Sequence, residues 1–166
     1  MTYPTQELLK EILNYNPETG IFTWKKVLSS LSRIKVGQEA GTITEEGYVA
    51  IGIGRRQYPA HRLAWLYMTG KLPKHQIDHR DKNRTHNWWA NLREATHSQN
   101  QMNKRSTRKT LGLKGTTYSS RHKKWHAQIR INKKTIYLGY YDTTEEAHLA
   151  YAFAANVMFG DFASME

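Results

Sequence analysis

The sequence predicts an α+β protein of two modules joined by a basic linker. Three observations predict it. The first hundred residues mix short helical stripes with short alternating runs bounded by Gly, Pro and Asn. The composition then changes: residues 101–138 hold no acidic residue and eleven Lys or Arg. Beyond residue 113, three strand patterns and one helix pattern complete a small module. The expected boundaries are 1–103, a linker at 104–113, and 114–166.

Each element follows from local pattern. "PTQELLKEILNYN" predicts a helix capped by Thr5, with Leu8, Leu9, Ile12 and Leu13 as its apolar stripe. "NPETG" is a turn, and "IFTWKKV" alternates like a strand. "GTITEEGYVAIGIGRRQYPAHRL" reads as two or three short strands with Gly-bearing turns. "AHRLAWLYMTG" is a short helix ended by Gly70 and followed by Pro73. "HQIDH" is a short strand, and "EATHSQNQMNK" has helical character with Thr96 as cap. "KRSTRKTLGLKG" has no periodicity and reads as the linker. "GTTYSS", "KWHAQIRI" and "KTIYLGYYD" follow as strands. The last helix opens on a capping box, Thr143 with Glu146, and its stripe is Ala147, Ala150, Tyr151, Ala154, Val157 and Met158.

The chain has 166 residues, a net charge of +11 and a pI near 9.8. Such a balance points to a polyanionic partner, nucleic acid first and an anionic membrane second. No run reaches the roughly 18 apolar residues of a membrane span. The N-terminus carries acidic residues and no apolar signal core, so a soluble cytoplasmic protein is expected. Zero Cys excludes disulfides and thiolate zinc sites.

Residues 76–103, "QIDHRDKNRTHNWWANLREATHSQNQMN", are crowded with Asp, His and Asn. Cutting a phosphodiester needs a base with a pKa near neutrality, for which histidine is suited. It also needs positive charge beside the phosphate, and a hard divalent cation on a few oxygen ligands supplies that. Asp78 and His79 are adjacent on a predicted strand and point oppositely, so one could hold a metal while the other faces a nucleophile. Asn91 follows twelve residues after His79, and Asn100 nine after that. A fold that returned Asn100 beside Asp78 would join a carboxylate and an amide oxygen, a set that suits Mg²⁺.

"HRLAWLY", "IDHRD", "NRTHN", "NLREAT" and "SQNQMN" resemble, in order and spacing, the HNH endonucleases of phages and mobile introns. More narrowly they resemble the His-Asn-Asn variant with a ββα-metal site, whose core would be about residues 74–103. The resemblance implies His79 as general base, Asp78 and Asn100 as metal ligands, and Asn91 as the residue that shapes the loop and orients His79. With Asn at the third motif position it favours one Mg²⁺ or Mn²⁺ per site over tightly held zinc. Asn83 and Asn87 read as loop-bracing residues, and His61 as packing or a phosphate contact. Trp88 and Trp89 read as packing, with insertion into a DNA step as the alternative. His75 and His86 carry no signal, and His97 is a candidate DNA contact.

In "KWHAQIRI" alternate residues separate. Trp125, Ala127, Ile129 and Ile131 would face the helix, and Lys124, His126, Gln128 and Arg130 would face outward. A basic, amide-bearing sheet face suits a major groove, where Gln pairs with adenine and Arg with guanine. "GTTYSS…KWHAQIR…YLGYYDTTEEAHLAYAFAANVMFGDFA" resembles an AP2 DNA-binding domain. Carried over by position, Lys114, Thr117, Ser119, Gln128, Arg130, Thr135 and Tyr137 sit where that family touches DNA. Arg121, Lys124 and His126 join this set, and Arg105, Arg108 and Lys109 form a strap for phosphates. Thr117 and Thr135 stand where plant members have Arg, and the closing Asn is missing, so the plant GC-rich preference is not carried over.

The expected protein is a metal-dependent homing-type DNA endonuclease that leaves 5′-phosphate and 3′-hydroxyl ends, with its site chosen by the C-terminal module. Its expected partner is double-stranded DNA and no membrane. It is expected to act as a monomer, with a dimer as alternative, and to be phage- or mobile-element-encoded. The rival reading is a non-cleaving DNA-binding regulator. An RNA-binding module is a third class, and no RNA motif supports it.

Overall fold

The structure is a computed structural model and describes residues 3–26, 34–103, 113–131 and 134–163. Arg105, Arg108 and Lys109 of the expected linker lie outside the described residues. The chain divides into two compact units, Met1–Ala95 and Thr96–Glu166.

The first unit opens with α1 (Gln6–Ile12), whose cap Thr5 accepts from Leu8 N–H. Leu9, Ile12 and Leu13 are buried as expected, but Leu8 is 42% exposed. One short helix on a core hides only a narrow stripe, and Leu8 falls at its edge. The chain then forms β1 (Leu13–Tyr15), β2 (Phe22–Trp24) and β3 (Glu39–Ala40), an antiparallel sheet in that order. A second sheet follows from β4 (Thr42–Ile43), β5 (Val49–Ile53) and β6 (Arg56–Pro59). α2 (Ala60–Thr69) ends at Gly70, which takes the left-handed φ of 71° that stops a helix.

β7 (Gln76–His79) and β8 (Leu92–Ala95) form a two-stranded antiparallel ribbon. The sequence pattern did not anticipate β8. "LREA" has neither alternation nor β-branched residues, and it is extended because β7 pairs with it. Ile77 and Leu92 join the same core as Leu9, Phe22, Ile51 and Leu63, and so dock the ribbon on the unit.

The second unit contains α3 (His97–Asn103), preceded by Thr96, whose hydroxyl accepts from Gln99 N–H. Its sheet has the order β11-β10-β9, from β9 (Thr116–Ser119), β10 (Lys124–Ile131) and β11 (Lys134–Tyr141). α4 (Thr144–Phe159) opens on the expected reciprocal capping box, Thr143 with Glu146. Its seam departs from the expected stripe. Ala147, Tyr151 and Ala155 are buried, whereas Val157 and Met158 are 68% and 48% exposed. The face in contact runs at steps of four residues, and Val157 belongs to the next row with exposed Leu149 and Phe153.

Gly115 shows how tightly this unit closes. Its φ is 83°, and a Cβ there would overlap the buried Tyr151 ring. Gly115→Ala is expected to cost about 1–3 kcal/mol from overpacking alone, with backbone strain added. Chemical denaturation followed by tryptophan fluorescence checks this; an unchanged midpoint would contradict the packing.

Candidate functional site

The ribbon buries three consecutive side chains, Ile77, Asp78 and His79. Arg93 lies directly across from Asp78 in the β7–β8 register. Its Nε donates to Asp78 Oδ2 at 2.9 Å, and its NH2 lies 2.8 Å from the same oxygen. Asp78 and Arg93 are 5% and 7% exposed, so this is a buried ion pair.

His79 is 4% exposed, and its Nε2 lies 3.1 Å from Asn87 Oδ1. An amide oxygen only accepts, so Nε2 carries the proton and Nδ1 carries the lone pair. Burial lowers the pKa of His79, while the Asn87 bond and the charges of Asp81 and Asp78 work against that shift. The net shift is downward, which favours the neutral, basic form.

Asn87 is held from several sides. Its Nδ2 donates to Thr85 O at 3.1 Å, which turns Oδ1 toward the imidazole. Its backbone oxygen accepts from Tyr15 OH at 2.7 Å. Gly20, with φ 76°, packs so closely that a Cβ would collide with Asn87 C and Trp88 N. Trp89 N–H reaches Pro17 O at 2.8 Å, so the β1–β2 turn supports the loop behind the histidine.

Asn91 is buried at the far end of the same loop. Its Nδ2 donates to Asp81 Oδ1 and His86 O, and its Oδ1 accepts from Asp81 N–H. All three bonds close the loop between β7 and β8, and Asn87 is the side chain that meets His79. Burial raises the pKa of Asp81, but bonds from His86, Asn83 N–H and Asn91 outweigh it and keep the carboxyl below its ordinary value. His86 Nδ1 sits 2.6 Å from Asp81 Oδ2, so His86 also belongs to this loop brace. The Trp88 ring packs tilted against His86 at 4.6 Å, and that of Trp89 against Trp65 at 5.1 Å.

Behind His79 stands His61, its ring 5.3 Å away and tilted by 77°. Tyr48 lies 5.2 Å from His61 and 6.2 Å from His79. The Arg84 guanidinium covers the Tyr48 ring at 4.8 Å and donates to Glu46 O. An exposed cation thus stands over the ring next to His79. No local sequence signal marks Arg84, Tyr48 or Arg93. Only the hairpin around Tyr48 and the register of β8 bring them there.

Among the described residues, no group of three or more His, Asp or Glu forms a metal cage. The donors implied for a metal, Asp78 and Asn100, are a carboxylate and an amide. That pair is all hard oxygen and suits a loosely held Mg²⁺ or Mn²⁺. Asp78 fits it, as a buried carboxylate beside the candidate base with its Oδ2 steadied by Arg93. Asn100 lies on α3 in the second unit, half-buried, with its N–H bonded to Thr96 O.

In the second unit the open face of the sheet gathers most of the predicted contacts. Across the strands His126 faces Thr117 and Tyr140, Gln128 faces Tyr137, and Arg130 faces Thr135. Lys124 faces Ser119 and pairs with Asp142 at 3.0 Å, an exposed pair of small energetic weight. Arg121 is exposed in the β9–β10 turn, and the Lys114 carbonyl accepts from His148 Nδ1. The rings of His122 and Tyr140, absent from the predicted set, meet tilted at 4.6 Å.

With this geometry in view, residues 58–102 match the family model described as HNH endonuclease. The match spans the ribbon, its loop and α3, and so takes in Asp78, His79, Asn87, Asn91 and Asn100. A mimivirus protein (Acanthamoeba polyphaga mimivirus), described as an uncharacterized HNH endonuclease, is 31% identical over 123 residues, 72% of this chain. The chain spans 63% of that relative's length. A solved structure titled for DNA binding and cleavage by the HNH homing endonuclease I-HmuI is 25% identical. It covers 62% of this chain and 57% of its own, with a TM-score of 0.45. No helix among the described residues is long and apolar enough to cross a membrane.

His61 generates a test of the packing behind the site. It is 9% exposed, its Nδ1 has no hydrogen-bond partner, and burial, with the charges of His79 and Arg62, lowers its pKa to about 3. The unfolded chain takes a proton on this ring below about pH 6.5, and the folded chain resists until near 3. The stabilising difference is therefore complete above pH 6.5 and is lost as pH falls, at up to about 1.4 kcal/mol per unit. Urea midpoints between pH 7 and 4 are expected to fall more steeply for the wild type than for His61→Phe. Parallel curves would place His61 in water.

Proposed function

We propose that the chain is a metal-dependent DNA endonuclease of the homing type. The observation that carries this reading is the buried His79, beside Asp78 on β7, with Nε2 committed to Asn87 Oδ1. That arrangement holds a buried imidazole in a fixed orientation, with its pKa lowered toward the neutral form, which is what a general base for water requires. The family match over residues 58–102 supports the same reaction class.

His79 takes a proton from water as the water oxygen attacks phosphorus. The bond from phosphorus to the 3′ oxygen breaks and that oxygen takes a proton from solvent, leaving a 5′-phosphate and a 3′-hydroxyl. Asp78 and Asn100 would hold one Mg²⁺ or Mn²⁺, which when bound offsets charge on the phosphate and leaving oxygens. Arg93 holds the Asp78 carboxylate in place through Oδ2. Arg84, near the His79 ring, is placed to meet a phosphate. Asn91 acts on the loop and Asn87 on the base, so both support catalysis without touching the reacting atoms.

The module at residues 114–166 is the proposed reader of double-stranded DNA. Its charges separate: no Lys or Arg follows Lys134, while α4 carries Glu145 and Glu146 in its first turn. Lys124 and Arg130 stand on the open sheet face, so a polyanion is drawn to the sheet and not to the helix. Arg105, Arg108 and Lys109 are proposed phosphate contacts of the linker.

A plasmid-nicking assay tests the catalytic reading. Cleavage is expected with Mg²⁺ or Mn²⁺ and none with chelator. His79→Ala should lower the rate by about 10² to 10⁴ while leaving DNA affinity nearly unchanged. Asn87→Ala should lower kcat more than it raises KM, because it frees the ring without removing a DNA contact. Full activity of His79→Ala would remove the base assignment. Binding without cleavage under every metal condition would favour the regulator.

Selection of preferred sites from random duplexes tests the reader. Gln128→Ala and Arg130→Ala should each relax preference at particular base pairs, by about 1–3 kcal/mol where the contact is bidentate. Lys109→Ala should weaken all sequences alike and lower the salt slope by about 0.9. Unchanged site preference in the Gln128 and Arg130 variants would move recognition to the first unit.

A further inference from the structure

Tyr137 is 72% exposed, the most open of the large apolar side chains that the described sheet residues present. It stands across from Gln128 in the β10–β11 register, and its ring lies 6.0 Å from His126. A β-bulge decides this placement. The register shifts between Ala127 and Gln128, which leaves Leu138 as the extra residue on β11. Tyr137 and Tyr140 are three positions apart, and strict alternation would send one of them into the core. The bulge sends Leu138 and Tyr141 to the core instead, and keeps Tyr137 and Tyr140 among the polar residues of the open face.

A ring so exposed, on a basic sheet face, is available to an apolar group on the ligand. On a DNA major groove the apolar group that base edges present is the thymine 5-methyl. Gln128, next to Tyr137, is the side chain that pairs bidentately with adenine. Cross-strand neighbours sit about 5 Å apart, so the amide and the ring can meet one A·T pair, or one pair and the next, together. Same-face residues along a strand are about 6.7 Å apart, close to two base-pair steps, which puts Arg130 two pairs further on. We infer that Tyr137 is a specificity residue that reads thymine methyl groups beside the Gln128 contact in duplex DNA. This rests on the reading of the sheet as the DNA reader.

The full-length protein, held in chelator to prevent cutting, is used to select duplexes from a random pool. The selected sequences are then made with thymidine and with deoxyuridine, which lacks only the methyl group. Deoxyuridine duplexes should bind about fourfold more weakly for each methyl contacted. Tyr137→Phe should keep this discrimination, and Tyr137→Ala should abolish it with an unchanged circular dichroism spectrum. Equal binding of the two duplexes by the wild type overturns the inference and leaves the DNA reading standing. So does discrimination that survives in Tyr137→Ala. A uniform loss in Tyr137→Phe on both duplexes would make the phenol a phosphate contact, and also overturns it. Failure to bind any duplex, or tighter binding to the separated strands, would overturn the duplex reading itself.

Discussion

The first unit depends on one buried ion pair, Asp78 with Arg93, set face to face across a ribbon of two four-residue strands. A hairpin this small has little stability of its own in water. Its apolar contribution to the core is limited to Ile77 and Leu92 with Ala95 at its end. The pair adds less to net stability than to specificity, since desolvation offsets much of its Coulomb gain. A slip of one residue would leave two charges buried and unpaired, at roughly 3–5 kcal/mol. It would also turn every side chain to the opposite face. The register that satisfies Asp78 and Arg93 is therefore the register that buries His79 toward Asn87.

The histidine is then fixed from two directions. Asn87 supplies the acceptor that sets the tautomer, and His61 supplies an edge-to-face contact that limits ring rotation. Neither support stands alone. Asn87 is held by a tyrosine 72 positions earlier and by a turn that tolerates no Cβ at Gly20. The hairpin that carries Tyr48 covers His61 and brings Arg84 to the same corner. Rigid support of this kind suits the proposed role of His79 as a base, because loss of orientation lowers rate even where chemistry is intact.

The second unit separates its tasks by face. Ala127, Ile129, Ala147, Tyr151 and Ala155 make a thin core, with small side chains on α4 so that helix and sheet approach closely. The opposite side of the sheet carries cations, an amide and rings, while the helix side carries the acids. The same alternation that builds the core thus builds the candidate DNA face. The bulge at Leu138 interrupts that alternation once and places a second tyrosine on the face.

Local pattern determined a good deal. The adjacency of Asp78 and His79, the alternation in "KWHAQIRI", the Thr143–Glu146 capping box and the excess of positive charge are all properties of neighbours in sequence, and each reappears in the structure. Short-range periodicity is legible because backbone geometry repeats every 2 or 3.6 residues. What periodicity does not carry is which distant groups meet. Asn87 and Asn91 are both asparagines in one polar loop, and only the folded positions of Thr85, Tyr15 and Asp81 decide which amide faces the imidazole. Arg93 became the partner of Asp78 through a strand whose own residues do not favour extension. Leu8, Val157 and Met158 are apolar at helical spacing yet exposed, because the width of the neighbouring surface sets how much of a stripe is covered. Contacts of that kind are decided by long-range packing, which competes with local preference and at these positions wins.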